Sequence, residues 1–398
     1  MRMNKKKEIA PKLRFPEFTD KWQNEKLGSI FLSRQETGFS ELPLMSLTDE
    51  CGLVPQQETN KKDNSNTNKS KYLRVCEGDI VYNTMRMWQG RCAYCKNEGI
   101  VSPAYTVCIP KDGCDGVFFY YYFKTYDLIQ KFHSNSQGLV CDTLNLKFDK
   151  FASIAINYPI KKEEQKKIAD CLSSIDELID AESRKLKALE KYKKGLMQKL
   201  FPAEGKTLPE WRFPEFSDGD GWIKTSLSQI CIMQAGKFIN ASEISDEQKN
   251  NMYPCYGGNG LRGYTLTHNC SGDHPLIGRQ GALCGNVTFA TGDFYATEHA
   301  IVVTANKNID EKWLYYLLDY LQLNQYATGQ AQPGLSVQTL EKVTAIYPGE
   351  MEEQKKIANC LSEIDAIIAE QSNKVERLKA HKKGLLQGLF PSLKEADV

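Results

Sequence analysis

No apolar run in these 398 residues is long enough to span a bilayer: the longest, "GVFFYYYF" at 116–123, falls far short of the ~20 residues a spanning helix needs. The opening "MRMNKKKEIAPK" lacks the apolar core of a signal peptide, so a cytoplasmic location is expected. Net charge is nearly absent too, 51 Lys and Arg against 50 Asp and Glu. No global field announces a polyanionic partner, and any nucleic-acid site must be local. The few histidines, His133, His268, His274, His299 and His381, are dispersed, which favours surface or core roles over catalysis and leaves no paired ligands for zinc. Thirteen cysteines, an odd count without a framework, read as buried reduced thiols. "CAYC" at 92–95 has thioredoxin or metal spacing, yet no second such pair follows, so packed thiols are expected there and no metal site. G-x-x-x-x-G-K-[ST] and Asn/Asp-Pro-Pro-aromatic are also missing, which excludes an ATP loop and an adenine methyltransferase centre. The chain is expected to be catalytically silent and to carry no cofactor of its own.

What is present is a sequence written twice. "EEQKKIADCL" at 163–172 returns as "EEQKKIANCL" at 352–361, and between residues 163–202 and 352–391, 24 of 40 positions are identical. "LRFPEF" at 13–18 recurs as "WRFPEF" at 211–216, each soon followed by a tryptophan, Trp22 and Trp222. Between these phrases lie dissimilar blocks closing on "NYP" and "IYP", and both long segments end in "LFP". The implied domains are an N-terminal segment 1–22, a block 23–157, a helical region 158–202, a linker 203–221, a second block 222–346, a second helical region 347–391 and a tail 392–398.

Both similar segments are free of proline before "LFP", and their apolar residues alternate at spacings of three and four. Ile168, Leu172, Ile175, Ile179, Leu186, Leu189, Leu196 and Leu200 form one heptad seam; Ile357, Leu361, Ile364, Ile368, Val375, Leu378, Leu385 and Leu389 form the other. Polar residues interrupt both at the same places, Glu182 and Lys193 in the first, Gln371 and Lys382 in the second. Residues 163–182 hold seven acidic and two basic residues, residues 184–199 one and seven, and the second copy repeats this polarity. Antiparallel pairing sets each acidic half against a basic half, whereas parallel pairing sets like against like. It also suits the linker, which would otherwise run back nearly fully extended. The pattern therefore predicts an antiparallel coiled coil within one chain, in preference to a dimerising coiled coil or two core helices.

The blocks read as mixed α/β. "GDIVYN" at 78–83, "IVSPAYTVCI" at 100–109, "HPLIGRQGALCGNVTFA" at 274–290 and "HAIVVTA" at 299–305 are the clearest strands; "FFYYYFKTYDLIQKF" at 118–132 and "EKWLYYLLDYLQL" at 311–323 each look like one helix. "GGNG" at 257–260 reads as a turn between strands, with a phosphate cradle as the alternative.

In this order of parts the chain resembles, over essentially its full length, the specificity subunit of Type I restriction-modification systems. The phrases that carry the resemblance are "EEQKKIADCLSSIDELI" and "EEQKKIANCLSEIDAII", "KKGLMQKLFP" and "KKGLLQGLFP", the paired "RFPEF" motifs, and "GDIVYN", "GIVSPAYTV", "YPCYGGNG", "LIGRQGALCG" and "QPGLSVQTLEKV" inside the blocks. The resemblance implies an α+β, pseudo-twofold fold: two target recognition domains joined by two long helices in an antiparallel coiled coil. It implies that each domain reads half of a split site in double-stranded DNA, that the helices space the halves, and that two methyltransferase subunits dock on the chain, with restriction subunits joining the full complex. S-adenosylmethionine, ATP and Mg belong to those partners. Half-sites read from one side of the duplex would lie about one turn, ~34 Å, apart.

Reading bases requires Arg, Lys, Asn or Gln presented by loops, with further groups on phosphates. The candidates are Lys69, Lys71, Arg86, Gln89, Arg91 and Tyr105 in the first block and Asn259, Arg262, Arg279, Gln280, Gln330 and Gln332 in the second. Each block is close to neutral, 15 basic against 15 acidic residues over 23–157 and 8 against 10 over 222–346. Most phosphate contacts are therefore expected from the methyltransferase subunits. Three rival readings remain: a coiled-coil scaffold whose blocks bind proteins, a silent specificity gene serving as a recombination partner, and a self-sufficient nuclease, for which no carboxylate cluster is found.

Overall fold

The two segments with the longest heptad pattern form the two longest helices. In the computed structural model, which describes residues 10–48, 52–59, 65–138, 143–281, 283–329 and 333–392, these are Lys162–Leu200 and Met351–Leu389. Ile168, Leu172, Leu196, Leu200, Ile357, Leu361, Val375 and Leu389 are buried, and Ile175, Ile179, Leu186, Leu189, Ile364, Ile368, Leu378 and Leu385 are half-buried. The chain forms two compact units, Met1–Ser183 with Lys374–Val398, and Arg184–Asn373.

Each unit contains a piece of both helices, and within each the pieces run antiparallel. In the first unit Lys382 pairs with Asp176 and Lys374 with Glu182, both at 2.5 Å, so one number rises as the other falls. In the second, Lys193 pairs with Asp365 at 2.6 Å. Beyond Lys193, Leu196, Met197 and Leu200 share a core with Ile357, Ala358 and Leu361, which precede Asp365. Three of the four polar interruptions of the seams thus make charge pairs between the helices; the fourth, Gln371, is buried.

The first unit is built on the antiparallel sheet Phe31–Ser33, Tyr105–Pro110, Ile80–Asn83, Cys92–Tyr94, in that spatial order. The run Ile80-Val81-Tyr82 is buried throughout because both sheet faces are covered. Ile80, Tyr82, Cys92 and Cys108 face one core and Val81, Ala93 and Val107 the other. The first of these is filled by Phe118, Phe119, Phe123, Phe132 and Phe151, each contributing about 1.5–3 kcal/mol over exposure, together with Ile168, Ala169 and Leu172 and the late Leu389 and Phe390. Strands Gln23–Lys26 and Ala155–Tyr158 pair antiparallel, so the block opens and closes at one place.

The second unit repeats the plan with Cys231–Ala235, Ala300–Ala305, His274–Gly278 and Val287–Ala290, and closes through Ile223–Ser226 on Thr344–Tyr347. It differs in a second four-stranded sheet, Gly260–Thr265, Tyr253–Gly257, Asp293–Ala296 and Cys270–Ser271, where the first unit has two antiparallel pairs, Met45–Thr48 with Gly52–Pro55 and Leu73–Val75 with Gly99–Val101.

Three expected elements are divided. Residues 118–132 are not one helix but two, Gly116–Phe123 and Tyr126–Asn135. Thr125 turns extended between them, and its hydroxyl donates to the Tyr122 carbonyl at 2.7 Å, ending the first. The run 100–109 breaks after Val101, because Pro103 has no N–H for the ladder and Tyr105 N–H closes a turn on Ser102. The run 274–290 is divided into two antiparallel strands, His274–Gly278 and Val287–Ala290. The helix of the second block ends at Tyr320, where Gln322 enters the left-handed region, φ +46°.

The repeated phrases fasten each block to its helices by the same contacts. Glu164 accepts from Arg14 Nε (2.8 Å), Arg14 Nη2 (2.9 Å) and Trp22 Nε1 (3.0 Å). Glu353 accepts from Arg212 Nε (2.7 Å), Arg212 Nη2 (2.7 Å) and Trp222 Nε1 (3.1 Å). Gln165 accepts from Asp115 N–H and donates to the Pro159 carbonyl, as Gln354 does with Asp310 and Pro348. Lys167 pairs with Glu17 and lies over Phe15; Lys356 pairs with Glu215 and lies over Phe213. The "LFP" phenylalanines fill the same niche, Phe390 stacking on Tyr122 and Phe201 on Tyr320. A sequence signal for this docking stands in both blocks, D-x-x-[FW]-x-Y-Y. Asp115 and Asp310 cap their helices by accepting from Phe118 N–H and Trp313 N–H. Tyr121 and Tyr316 donate to Asp176 and Asp365 at 2.8 and 2.7 Å.

Candidate nucleic-acid interface

Beyond the docking contacts, the loops leaving the third strand of each sheet are held by matching backbone bonds. In the first unit this loop is 84–91. Thr84 N–H donates to the Ala104 carbonyl (3.1 Å) and the Thr84 carbonyl accepts from Leu146 N–H (2.8 Å). Met85 N–H donates to Asn83 Oδ1 (2.9 Å), the Met85 carbonyl accepts from Trp88 Nε1 (3.0 Å), and Trp88 rests edge-on against His133. Met87 is fully buried, and Gly90 takes φ +74°, where a side chain would be strained and would also press on Ile129. The backbone is therefore held while Met85, Gln89 and Arg91 are exposed and Arg86 is half-exposed. Tyr105 pairs with Asn83 across the ladder. Its hydroxyl pKa is raised by burial, with the Leu47 backbone and Arg91 opposing. Arg86, Gln89, Arg91 and Tyr105 thus share one region. Lys69 and Lys71 stand instead at the turn into strand Leu73–Val75, and no bond among the described residues ties them to this loop.

In the second unit the equivalent loop is 279–286. Arg279 N–H donates to the His299 carbonyl (2.8 Å), and the Arg279 carbonyl accepts from Leu335 N–H (2.9 Å) and from the Cys284 thiol (3.3 Å). "GGNG" is a strand-to-strand turn, Gly257 pairing with Gly260, and it is seated on this loop. A Cβ on Gly258 would lie 3.2 Å from the Gln280 carbonyl, and one on Gly278 would overlap the Gly258 carbonyl. The seat brings the turn bearing exposed Asn259, and the exposed Arg262 beyond it, to Gln280, also exposed, and to half-buried Arg279. Arg262 and Glu298 both act on the Cys255 thiol, whose pKa is raised chiefly by burial, lowered by Arg262 and raised by Glu298. Gln330 and Gln332 lie outside the described residues. Met85 and His299, each beside a strand end at these loops, were not among the residues singled out for base contact.

The remaining candidate chemistry resolves into packing. Cys92 and Cys95 belong to different cores on opposite faces of the sheet, so they do not converge on one ion. Burial pushes their thiols up to about 11 and about 12. Both are expected to resist an aromatic disulfide reagent at pH 8 in the native chain and to react once urea is added; peptide mapping of rapid native labelling at either position would contradict this. No group of three or more His, Cys, Asp or Glu able to hold a metal ion is found among the described residues, and none of their helices is long and apolar enough to cross a membrane.

A family model described as the Type I restriction modification DNA specificity domain matches residues 19–191 and again residues 219–377. The chain belongs to that family. Within it, the chain is 42% identical over 158 residues to the Type I restriction enzyme EcoprrI specificity subunit of Escherichia coli, a match covering 39% of each protein. To the MjaVIII specificity subunit of Methanocaldococcus jannaschii it is 25% identical over 356 residues, covering 81% of this chain and 82% of the relative. A crystal structure of a Type I restriction-modification system S subunit from M. genitalium superposes with a TM-score of 0.66 at 19% identity, over 97% of this chain and all of that one. That likeness supports the specificity-subunit fold read from the repeats.

Proposed function

We propose that the chain is the non-catalytic DNA-recognition subunit of a Type I restriction-modification complex, with blocks 23–157 and 222–346 each reading one half of a bipartite site. The supporting observation is a pair of loops held by matching backbone bonds, Thr84 to Ala104 and Leu146, Arg279 to His299 and Leu335, that carry unlike side chains. A shared frame with different loop chemistry suits a reader of two unlike sequences. Arg86, Gln89, Arg91 and Tyr105 address one half-site, Asn259, Arg262, Arg279 and Gln280 the other, and Lys69 and Lys71 face phosphates. Two methyltransferase subunits dock on the chain, restriction subunits complete the assembly, and S-adenosylmethionine, ATP and Mg are theirs. The long helices set the gap between half-sites, and the complex works in the cytoplasm. The near-neutral charge of both blocks fits this division of labour, in which partners hold most phosphates.

Co-expression with a methyltransferase subunit, followed by base-resolution mapping of modified adenines, is expected to yield a two-part motif. Replacing residues 23–157 by the matching block of another family member should change one half and leave the other half and the gap unaltered. A protein-binding scaffold would leave adenine modification the same whether or not the chain is expressed.

A further inference from the structure

The two loop frames differ where the second unit carries Glu298 and His299 and the first carries Pro103 and Ala104, which offer no polar side chain. The His299 carbonyl anchors Arg279 N–H, and a Cβ on Gly258 would lie 3.6 Å from His299 Cβ, so the His299 side chain leaves the backbone at the foot of the turn that presents Asn259. The His299 side chain is 42% exposed, and its Nε2 lies 3.1 Å from Glu298 Oε1. A neutral imidazole donates from one ring nitrogen and accepts at the other. Neither ring nitrogen of His299 makes a hydrogen bond among the described residues. Glu298 Oε2 is buried and also without a hydrogen-bond partner, which leaves the pair incomplete in the free chain. In the major groove, the base edges that donate are the exocyclic amino groups, adenine N6 and cytosine N4.

We infer that His299 is a specificity-determining residue that accepts from the amino group of an adenine or cytosine in the half-site read by the second unit, with Glu298 as its positioning residue. This rests on the reading of the chain as a DNA-recognition subunit. The pair acts on one half-site only, because its counterpart in the first unit has neither acceptor nor carboxylate.

The test uses the full chain co-expressed with its methyltransferase subunits, with modified adenines mapped at base resolution. If the unaltered chain directs no two-part motif, the recognition reading itself fails, and the inference falls with it. Given a motif, His299→Ala is expected to relax one adenine or cytosine position about tenfold while the other half-site and the gap stay unchanged. His299→Phe, which keeps a ring of similar packing and removes both nitrogens, relaxes the same position and covers the case in which the alanine variant folds poorly. His299→Gln restores an acceptor and part of the preference, and Glu298→Ala relaxes that position to a smaller extent. A motif unchanged in His299→Phe overturns the inference, as does a loss of methylation spread evenly over all positions, which a merely structural role would give.

Discussion

Glu164→Ala is expected to destabilise the first unit by roughly 3–5 kcal/mol, the loss that follows when one partner of a buried ion pair is removed. Glu164 is 1% exposed and satisfies two guanidinium nitrogens and an indole N–H at once. Alanine leaves Arg14, only 19% exposed, beside an empty acceptor site. The value should fall near the lower end, because Arg14 Nη2 keeps the Asp20 carbonyl. Glu353→Ala should do the same to the second unit, where Arg212 is 13% exposed and Trp222 is buried. Hydrogen exchange resolved by peptide separates the two effects, since each variant should deprotect its own unit. A loss below about 1 kcal/mol would class the lock with ordinary surface pairs.

Gly278→Ala carries the second large effect, and it falls on recognition as well as stability. The added methyl would overlap the Gly258 carbonyl and lie 3.2 Å from that of Leu283. Because both neighbours are backbone, relief requires lifting the "GGNG" turn off loop 279–286. Overpacking of this kind costs typically about 1–3 kcal/mol, read as a lower denaturation midpoint. The half-site assigned to the second unit should degrade while the other persists. Gly257→Ala is the control: its methyl would meet nothing closer than 3.6 Å, and it should leave both the midpoint and the motif nearly unchanged. Equal behaviour of the two variants would mean that the seat of the turn is unimportant.

The parts legible in sequence were those whose physics is local. The heptad seams and their charge polarity foretold both long helices and their antiparallel pairing, because a helix exposes its period within a few turns. The blocks were harder. "FFYYYFKTYDLIQKF" looks continuous in composition, and only the hydroxyl of Thr125 folding back on Tyr122 divides it. Arg86, Gln89 and Arg91 could be singled out as a polar loop, but the bonds fixing that loop come from Ala104 and Leu146, far along the chain. His299 was set aside because five scattered histidines suggest no catalysis, and its place beside Gly258, with its carbonyl on Arg279 N–H, is visible only in the fold. The "RFPEF" and "EEQKK" repeats were read as family marks; their partnership as Arg14 with Glu164, and Arg212 with Glu353, needed coordinates.

The membership of the first unit has a consequence for biosynthesis. Its core includes Leu389 and Phe390 as well as residues from Leu27 onward, whereas the second unit is one uninterrupted stretch, Arg184–Asn373. On the ribosome the block translated first must wait for residues 389 and 390 before its aromatic core can close, while the block translated second is complete earlier. The usual order of maturation, amino-terminal part first, is thereby reversed, and a chain stalled before residue 389 would release a finished second unit beside an unsealed first one.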